Sequence, residues 1–350
     1  MPAIEEILRT AKDAGASDVH LTVGIPPKMR VNGKLITMDY PRLIPADTLD
    51  VMINIMSETQ ISRFEDRGEY DMSFSIANLG RYRVNAYKQR GSVAFAFRLV
   101  GTRIPSPEEL GVPDSVIELY QKKRGLILVT GPTGSGKSTT LAAIIDKINN
   151  NRDAHVITLE DPIEYLHQHK LSMVNQREIG LDTENYANAL RAALREDPDV
   201  ILVGEMRDFE TISVAITAAE TGHLVLSTLH TIGAASTVDR VIDVFPPHQQ
   251  QQIRVQLANV LEAVVSQQLI PTADGRGRVA AFEVMHANHA VRNLIREGKS
   301  HQLASVMQTN RKMGMMTMDE AICQLYYEGK IDREMAIQFA QDADGMENKL

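Results

Sequence analysis

The sequence predicts a two-domain α/β protein, in which a small α+β domain precedes a domain built on a parallel sheet. Residues 1–100 alternate short strands with amphipathic helices, and Asn32-Gly33 marks a hairpin turn. Residues 116–286 contain continuously apolar strands separated by helical stripes, which is typical of parallel strands buried on both faces. Prolines at positions 105, 107 and 113 interrupt both patterns and predict a linker over residues 101–115. Residues 287–350 predict a helical C-terminal region.

The first domain has the pattern of a small α+β (PAS-like) fold. Helical spacing predicts an opening helix that Gly15 ends and a second helix near residues 49–56. Strands are predicted over residues 19–23, 28–31, 34–37, 70–76, 81–88 and 93–100. Alternation within residues 81–88 puts Arg81 and Arg83 on one face, and Arg98 lies on the following strand. These arginines form either a solvated face or a functional surface, and the pattern alone favours neither.

The second domain opens with a glycine-rich motif between an apolar strand and an amphipathic helix. Gly131, Gly136, Lys137 and Ser138 fit the pattern G-x-x-x-x-G-K-[ST]. Glycines allow backbone N–H groups to turn toward an anion, and the helix N-terminus adds partial positive charge. We expect Lys137 at the β and γ phosphates of ATP and the Ser138 hydroxyl on Mg²⁺. The predicted cradle comprises Gly131, Pro132, Thr133, Gly134, Ser135, Gly136, Lys137, Ser138 and Thr139.

Three further strands, over residues 155–159, 200–203 and 224–229, predict a RecA-like P-loop ATPase core. Ligands of open α/β sheets bind beyond the carboxyl ends of the strands, so the residues that end each strand are the candidates. These are the acidic segment 160–164, Glu205 and His230. His230 lies near Thr228 and Thr231, and it is either a sensor of the γ-phosphate or a structural histidine.

The carboxylates at these strand ends match what phosphoanhydride hydrolysis needs. Glu205 is the candidate for polarising the attacking water, although Gly204 stands where many P-loop enzymes have an aspartate. That difference shifts part of the Mg²⁺ coordination to Glu160, Asp161 or Glu164, among which we favour Glu164. Helix capping is the alternative role for Glu205 and for Glu164.

Composition excludes several classes of function. The net charge of −8 disfavours a general nucleic-acid binder, so we expect no nucleic-acid partner. The single cysteine, Cys323, excludes an intramolecular disulfide and a zinc site built from cysteine pairs. No apolar run approaches the roughly 18 residues that a membrane span needs. Residues 1–6 lack the basic start and apolar core of a signal peptide, so we expect a cytoplasmic protein.

Four segments, in this order, resemble the PilT-type retraction ATPases of type IV pili, within the superfamily of secretion ATPases. They are residues 131–139 as Walker A, 156–165 as an acidic box, 194–208 as Walker B and 221–231 as a histidine box. Residues 290–297 are similar to the helix that separates retraction motors from extension motors, with Val291 in place of a common isoleucine. A single cysteine weighs against the extension branch, which usually carries a four-cysteine zinc motif.

The resemblance implies an ATP-hydrolysing homohexamer that powers pilus retraction, with the N-terminal domain of one subunit packed on the ATPase domain of the next. It implies that arginines of the N-terminal domain approach the nucleotide, and Arg81, Arg83 and Arg98 are the positions available here. It also implies a peripheral location at the inner face of the cytoplasmic membrane. The implied partners are an inner-membrane platform protein and, indirectly, pilin.

Other functions fit parts of the same pattern. An accessory retraction ATPase or a type II secretion motor would carry the same four segments. A nucleotide-gated scaffold would bind ATP with little turnover, but it has no need of a water-positioning acid such as Glu205. A RecA-like DNA translocase is disfavoured by the net charge and by the absence of a basic stretch interleaved with aromatic residues.

Overall fold

The computed structural model describes residues 3–76, 79–100 and 103–350. It forms two compact units, Met1–Arg103 with Glu164–Leu166, and Ile104–Ile163 with His167–Leu350. Six residues lie outside the described ranges: Met1, Pro2, Ala77, Asn78, Gly101 and Thr102. The start of the predicted linker and the first two residues of the N-terminal segment are therefore not described.

The first unit contains a six-stranded antiparallel sheet in the spatial order β3-β2-β1-β6-β5-β4. Its elements are α1 (Ile4–Asp13), β1 (Asp18–Leu21), β2 (Lys28–Val31), β3 (Lys34–Thr37), α2 (Pro45–Ile55), α3 (Glu58–Arg67), β4 (Glu69–Ile76), β5 (Gly80–Gln89) and β6 (Ser92–Leu99). The predicted hairpin turn is confirmed, because Asn32 and Gly33 have φ values of 48° and 78°. Apolar residues of the three helices pack with the sheet into one core.

Helix α3 was not expected from the sequence. It begins at a capping box, in which Gln60 N donates to Ser57 Oγ at 3.3 Å and Ser57 N donates to Gln60 Oε1 at 2.8 Å. The alternation predicted for β5 is confirmed, since Tyr82, Val84 and Ala86 are buried while the arginines occupy the other face. The α+β character of this part of the chain follows from these elements.

The second unit contains a seven-stranded sheet in the order β13-β12-β7-β11-β10-β8-β9, antiparallel only between β12 and β13. Its strands are β7 (Gly125–Thr130), β8 (His155–Glu160), β9 (Met173–Glu178), β10 (Val200–Val203), β11 (Leu224–Leu229), β12 (Leu261–Pro271) and β13 (Arg278–His286). Its helices are α4 (Asp114–Ile117), α5 (Lys137–Asn151), α6 (Tyr186–Ala193), α7 (Phe209–Glu220), α8 (Ala234–Asp243), α9 (Pro247–Val260), α10 (His289–Glu297), α11 (Leu303–Thr309), α12 (Met318–Tyr327), α13 (Arg333–Phe339) and α14 (Ala343–Lys349).

The four strands predicted to share a ligand are adjacent and parallel, in the order β7-β11-β10-β8. Every residue of β7, β10 and β11 is buried, as expected for strands covered on both faces. One hydrophobic core lies on the face covered by α6 to α10, and a second lies on the face covered by α4 and α5. The predicted α/β architecture is confirmed, and β9 and β12 are strands that the sequence did not reveal.

The last helices, α12 to α14, form a small core of their own with Ile270 of β12 and Ala281 of β13. The predicted helical C-terminal region is thus confirmed. Over the described ranges, the structure contains no helix with the length and apolarity to cross a membrane.

Candidate active site

Two positions of the loop between β7 and α5, Gly131 and Gly136, accommodate only glycine. Gly131 has a φ of +141°, and an added Cβ would lie 2.2 Å from the backbone oxygen of Gln267 on β12. Gly136 has a φ of +90°, and its Cβ would lie 2.9 Å from the side-chain nitrogen of the same glutamine. The loop is therefore pressed against β12, which fixes its backbone as a rigid cradle.

The polar groups of this cradle fit an anion. Lys137 is the first residue of α5, and its Nζ donates to the backbone oxygens of Gly131 at 2.9 Å and Pro132 at 3.0 Å. Ser135 is 2% exposed, and in the described structure its buried Oγ has no hydrogen-bond partner. An orphaned hydroxyl beside the N-terminus of a long helix is suited to donate a hydrogen bond to a phosphate oxygen. Ser138 is exposed at the start of the same helix.

The strand register brings the other predicted residues to one level at the carboxyl edge of the sheet. Thr130 pairs with Leu229, so Gly131 and His230, which directly follow these two strands, lie at the same level. Val203 pairs with Leu159 on one side and Ser227 on the other, so Gly204 and Glu160 are also level. The cradle, the acidic segment, Glu205 and His230 therefore occupy the same edge, where ligands of such sheets bind.

Glu205 and His230 are brought into contact. The Oε2 atom of Glu205 lies 3.4 Å from Nε2 of His230 and forms an ion pair with Nε of Arg207 at 2.8 Å. The Glu205 side chain is 22% exposed, so it remains open to water while its orientation is restrained from two sides. An ionised carboxylate held in this way can accept a proton from a water molecule bound beside it.

The acidic segment after β8 is held by β9. Glu160 Oε1 accepts hydrogen bonds from Thr158 Oγ1 at 2.7 Å and from Gln176 Nε2 at 3.0 Å. The buried Glu178 accepts one from the backbone N–H of Ile163 at 3.0 Å. Glu164 is exposed and groups with the first compact unit, whereas Glu160 belongs to the second. The two glutamates predicted as metal ligands, Glu160 and Glu164, thus differ in their structural setting.

Tyr186 accounts for the glycine that occupies the usual aspartate position. A Cβ added at Gly204 would lie 2.9 Å from the Tyr186 hydroxyl, 3.1 Å from the backbone oxygen of Leu159 and 3.4 Å from Cα of Glu160. Burial raises the pKa of Tyr186, and the nearby carboxylates of Asp161, Glu205 and Glu160 raise it further. The phenol therefore stays protonated, as a hydrogen-bond donor in the space where an aspartate side chain would lie.

The three candidate arginines share one face of the N-terminal sheet. Arg83 and Arg98 lie directly opposite each other on β5 and β6, and both are exposed. Arg98 Nε donates to Asp18 Oδ1 at 2.8 Å, and Arg81 donates to Ser75 Oγ at 3.3 Å. Burial raises the pKa of Asp18, but hydrogen bonds from Arg98 and Ser17, together with the nearby charges of Arg98 and His20, leave the pKa lowered. The face therefore carries Arg83 beside an arginine that already has a carboxylate partner.

Sequence reasoning missed three residues of this site: Gln267, Tyr186 and Arg207. Gln267 lies on the unrecognised strand β12, where its Oε1 accepts a hydrogen bond from Thr140 Oγ1 at 2.8 Å. Tyr186 lies at the start of α6, and helical periodicity does not distinguish a phenol from other apolar residues. Arg207 lies two residues after Glu205, and that proximity was the available signal.

The donor set is compatible with Mg²⁺ bound together with phosphates. Across residues 3–76, 79–100 and 103–350, no group of three or more His, Cys, Asp or Glu side chains is arranged to hold a metal ion. Mg²⁺ bound with a nucleotide needs only one or two protein ligands, because phosphate oxygens and waters complete its octahedron. A single hydroxyl such as Ser138 with one carboxylate meets that requirement.

Proteins of known function resemble this chain over nearly its whole length. A family model described as "Type II/IV secretion system protein" matches residues 1–337. The type IV pilus retraction ATPase PilT of Pseudomonas aeruginosa is 47% identical over 338 residues, covering 97% of this chain and 98% of that protein. A twitching motility protein of Neisseria gonorrhoeae is also 47% identical, over 98% of this chain and 92% of its own length.

A solved structure gives the same result at the level of the fold. The crystal structure of the pilus retraction motor PilT with bound ADP superposes with a TM-score of 0.92 at 50% identity, and the match covers 99% of each chain. An N-terminal domain followed by a RecA-like ATPase domain is therefore the fold of this protein. Because the family model and the relatives cover nearly the whole chain, this protein belongs to the type II/IV secretion system protein family.

Proposed function

We propose that this protein is an ATP-hydrolysing motor that powers the retraction of type IV pili. One observation carries the proposal: four adjacent parallel strands end at a phosphate cradle, an acidic segment, Glu205 and His230. The likeness to PilT, a retraction ATPase by name, over nearly the whole chain supports the choice of motor.

Different residues of the candidate site have different roles in hydrolysis. The cradle, residues 131–139, binds the phosphates of ATP through backbone N–H groups, and Lys137 neutralises oxygen charge. Glu205 accepts the proton of the attacking water, and its contact with His230 links that event to the loop that follows β11. Mg²⁺, when bound, neutralises further phosphate charge, and Ser138, Glu160 and Glu164 are the proposed ligands.

The motor is proposed to act as a homohexamer. PilT is called a motor in its structural description, and this chain matches it end to end. In a ring, the arginine face of the first unit is available to a neighbouring subunit, so Arg81, Arg83 and Arg98 are proposed to approach its nucleotide. Mixing Arg98→Ala subunits with Lys137→Ala subunits tests this hypothesis. Restored turnover would support an action of Arg98 on the nucleotide of a neighbouring subunit. If turnover is not restored, Arg98 does not act between subunits.

The proposed location is cytoplasmic and peripheral, at the inner face of the membrane. An inner-membrane platform protein is the proposed direct partner, and pilin is the substrate moved through it. No nucleic acid takes part in this scheme. Labelling the protein in cells that lack the platform protein tests the location, because a diffuse distribution is expected there and a persistent membrane-bound one contradicts the assignment.

Deleting the gene in its host distinguishes retraction from the alternatives. We expect cells that still carry pili but no longer retract them, and wild-type protein restores retraction while Lys137→Ala does not. Cells without pili would indicate an extension motor, and partial retraction would indicate an accessory ATPase. Normal retraction with lost protein export would indicate a type II secretion motor. Full rescue by a variant that does not hydrolyse ATP would indicate a nucleotide-gated scaffold.

A further inference from the structure

A buried carboxylate joins two helix starts in the second unit. Glu283 lies on β13 and is 3% exposed. Its Oε1 accepts a hydrogen bond from the backbone N–H of Ala234, the first residue of α8, at 2.6 Å. Its Oε2 accepts one from the backbone N–H of Met318, the first residue of α12, at 3.1 Å. One side chain thus holds the N-termini of two helices that are 84 residues apart in sequence (318 − 234).

The first of these helix starts is bonded to the candidate active site. Gly233, immediately before α8, donates its N–H to Ser266 Oγ at 3.0 Å. Its backbone oxygen accepts a hydrogen bond from Thr237 Oγ1 at 2.7 Å. Thr237 Oγ1 also contacts Thr231 Oγ1 at 2.7 Å and Thr130 Oγ1 at 3.4 Å. Thr231 follows His230 and Thr130 precedes the phosphate cradle, so buried and half-buried hydrogen bonds link both segments to the start of α8.

The second helix start organises the end of the chain. Met318 is fully buried and belongs to the small core formed by α12 to α14. Asp319, the next residue, accepts hydrogen bonds from the backbone N–H groups of Gln341 at 2.7 Å and Asp342 at 3.2 Å. A shift at the start of α12 would therefore be transmitted to the helices that follow it.

Burial makes the two contacts of Glu283 interdependent. An ionised carboxylate without partners is costly inside a protein, so losing either N–H group strains the bond to the other. Burial is the dominant influence and leaves the pKa of Glu283 raised, although the hydrogen bonds from Ala234 and Met318 act in the opposite direction. The helix starts favour the ionised form through their partial positive charge. The carboxylate is thus most stable when both helices keep their positions relative to β13.

We propose that Glu283 is a positioning residue that couples the loop carrying His230 to the C-terminal helices. A nucleotide-dependent movement of the loop displaces the start of α8, and Glu283 transmits that displacement to α12. This inference goes beyond the proposed hydrolysis and retraction, because it concerns how the nucleotide site communicates within one subunit. Such a coupling requires that both sites bias the same structural element.

Hydrogen–deuterium exchange on the full chain, with and without ADP, measures this coupling. In the wild type, we expect ADP to slow exchange in peptides covering the start of α8 and the start of α12. In Glu283→Gln the α8 response should remain, while the α12 response disappears. The Met318 amide should also exchange about tenfold faster, which is the effect of losing one charge-assisted hydrogen bond.

Glu320→Ala is the matched control, because it removes the capping box of α12, and Glu320 has no bond to α8. This variant should raise exchange at the start of α12 and keep the ADP response. If Glu283→Gln does not fold, Glu283→Asp replaces it, since the shorter carboxylate keeps its charge but does not reach both helix starts. The proposal is overturned by a wild type without an ADP response in α12, or by a folded Glu283 variant that keeps it in full.

Discussion

Single atoms at the strand ends decide which side chains the site can contain. Gly204 is enclosed by the Tyr186 hydroxyl, a backbone oxygen and the Cα atom of Glu160, all within 3.4 Å of an added Cβ. Its backbone φ lies outside the left-handed region, so crowding and not conformation excludes a side chain. The position of the Tyr186 hydroxyl therefore helps to explain why residue 204 is a glycine and not an aspartate.

Gly204→Ala should destabilise the protein by about 1–3 kcal/mol, because overpacking forces neighbouring atoms to move. The displaced atoms belong to Glu160 and Tyr186, which lie in the candidate active site, so ATP turnover should fall as well. Adding Tyr186→Phe removes the closest contact and should restore part of both losses. Thermal unfolding and steady-state ATP hydrolysis are the measurements.

Gly277→Ala provides the control for the Gly204 prediction. An added Cβ at Gly277 meets only Thr272 Oγ1 at 3.8 Å, an ordinary contact distance. If Gly204→Ala unfolds at the same temperature as Gly277→Ala, the crowding argument is wrong.

Sequence patterns indicate which residues lie together where strand ends limit their positions, but they do not indicate contacts that depend on packing. The contact between Glu205 and His230 follows from their positions after neighbouring strands, which apolar runs reveal. The burial of the Tyr186 phenol among carboxylates depends on how α6 packs, which periodicity does not encode. Glu283 offered a signal, as a lone acid within the apolar run of β13, but its two partners are distant in sequence.

At the scale of elements, the sequence predicts helices and strands where breaker residues such as Gly and Pro separate the apolar segments. Strand β12 was missed because α9 ends at Val260 and β12 begins at Leu261, with no breaker between them. Strand β9 was missed because its sequence, MVNQRE, is largely polar and lies at the sheet edge. Helix α3 carried a readable capping box at Ser57 and Gln60. Both missed strands matter, since β12 packs against the cradle and β9 holds the acidic segment.

The segment that follows the acidic box contains a half-buried histidine with a predictable response to pH. Burial lowers the pKa of His167 to about 4, and its Nδ1 has no hydrogen-bond partner within the described residues. An unfolded histidine has a pKa of about 6.5, so the folded state favours the neutral form. Its stabilising contribution is present above about pH 6.5 and is lost as the pH falls toward 4, by at most about 3 kcal/mol.

His167→Gln should therefore lose less stability than the wild type between pH 7 and pH 4.5, as measured by thermal unfolding. His248→Gln, which replaces an exposed histidine, should follow the wild type. Identical pH dependence in the wild type and His167→Gln would show that the folded state does not hold His167 in its neutral form.

At the scale of the whole molecule, the two units carry different parts of the chemistry. The first presents exposed arginines on one face of an antiparallel sheet. The second collects the phosphate cradle and the polar strand ends on one edge of a parallel sheet. This division suits the proposed ring motor, in which we expect groups of one subunit to complete the hydrolytic site of another. Matches that extend over both units support treating them as one machine.

The central claim is that the cradle and Glu205 serve one hydrolytic site, and Glu205→Gln tests it most directly. ATP binding and ATP turnover are measured on the same preparation, with Glu210→Gln as control, because Glu210 is exposed at the start of α7. We predict that Glu205→Gln binds ATP as the wild type does but hydrolyses it about 10²–10⁴-fold more slowly, while Glu210→Gln is unaffected. Wild-type turnover in Glu205→Gln would contradict the account.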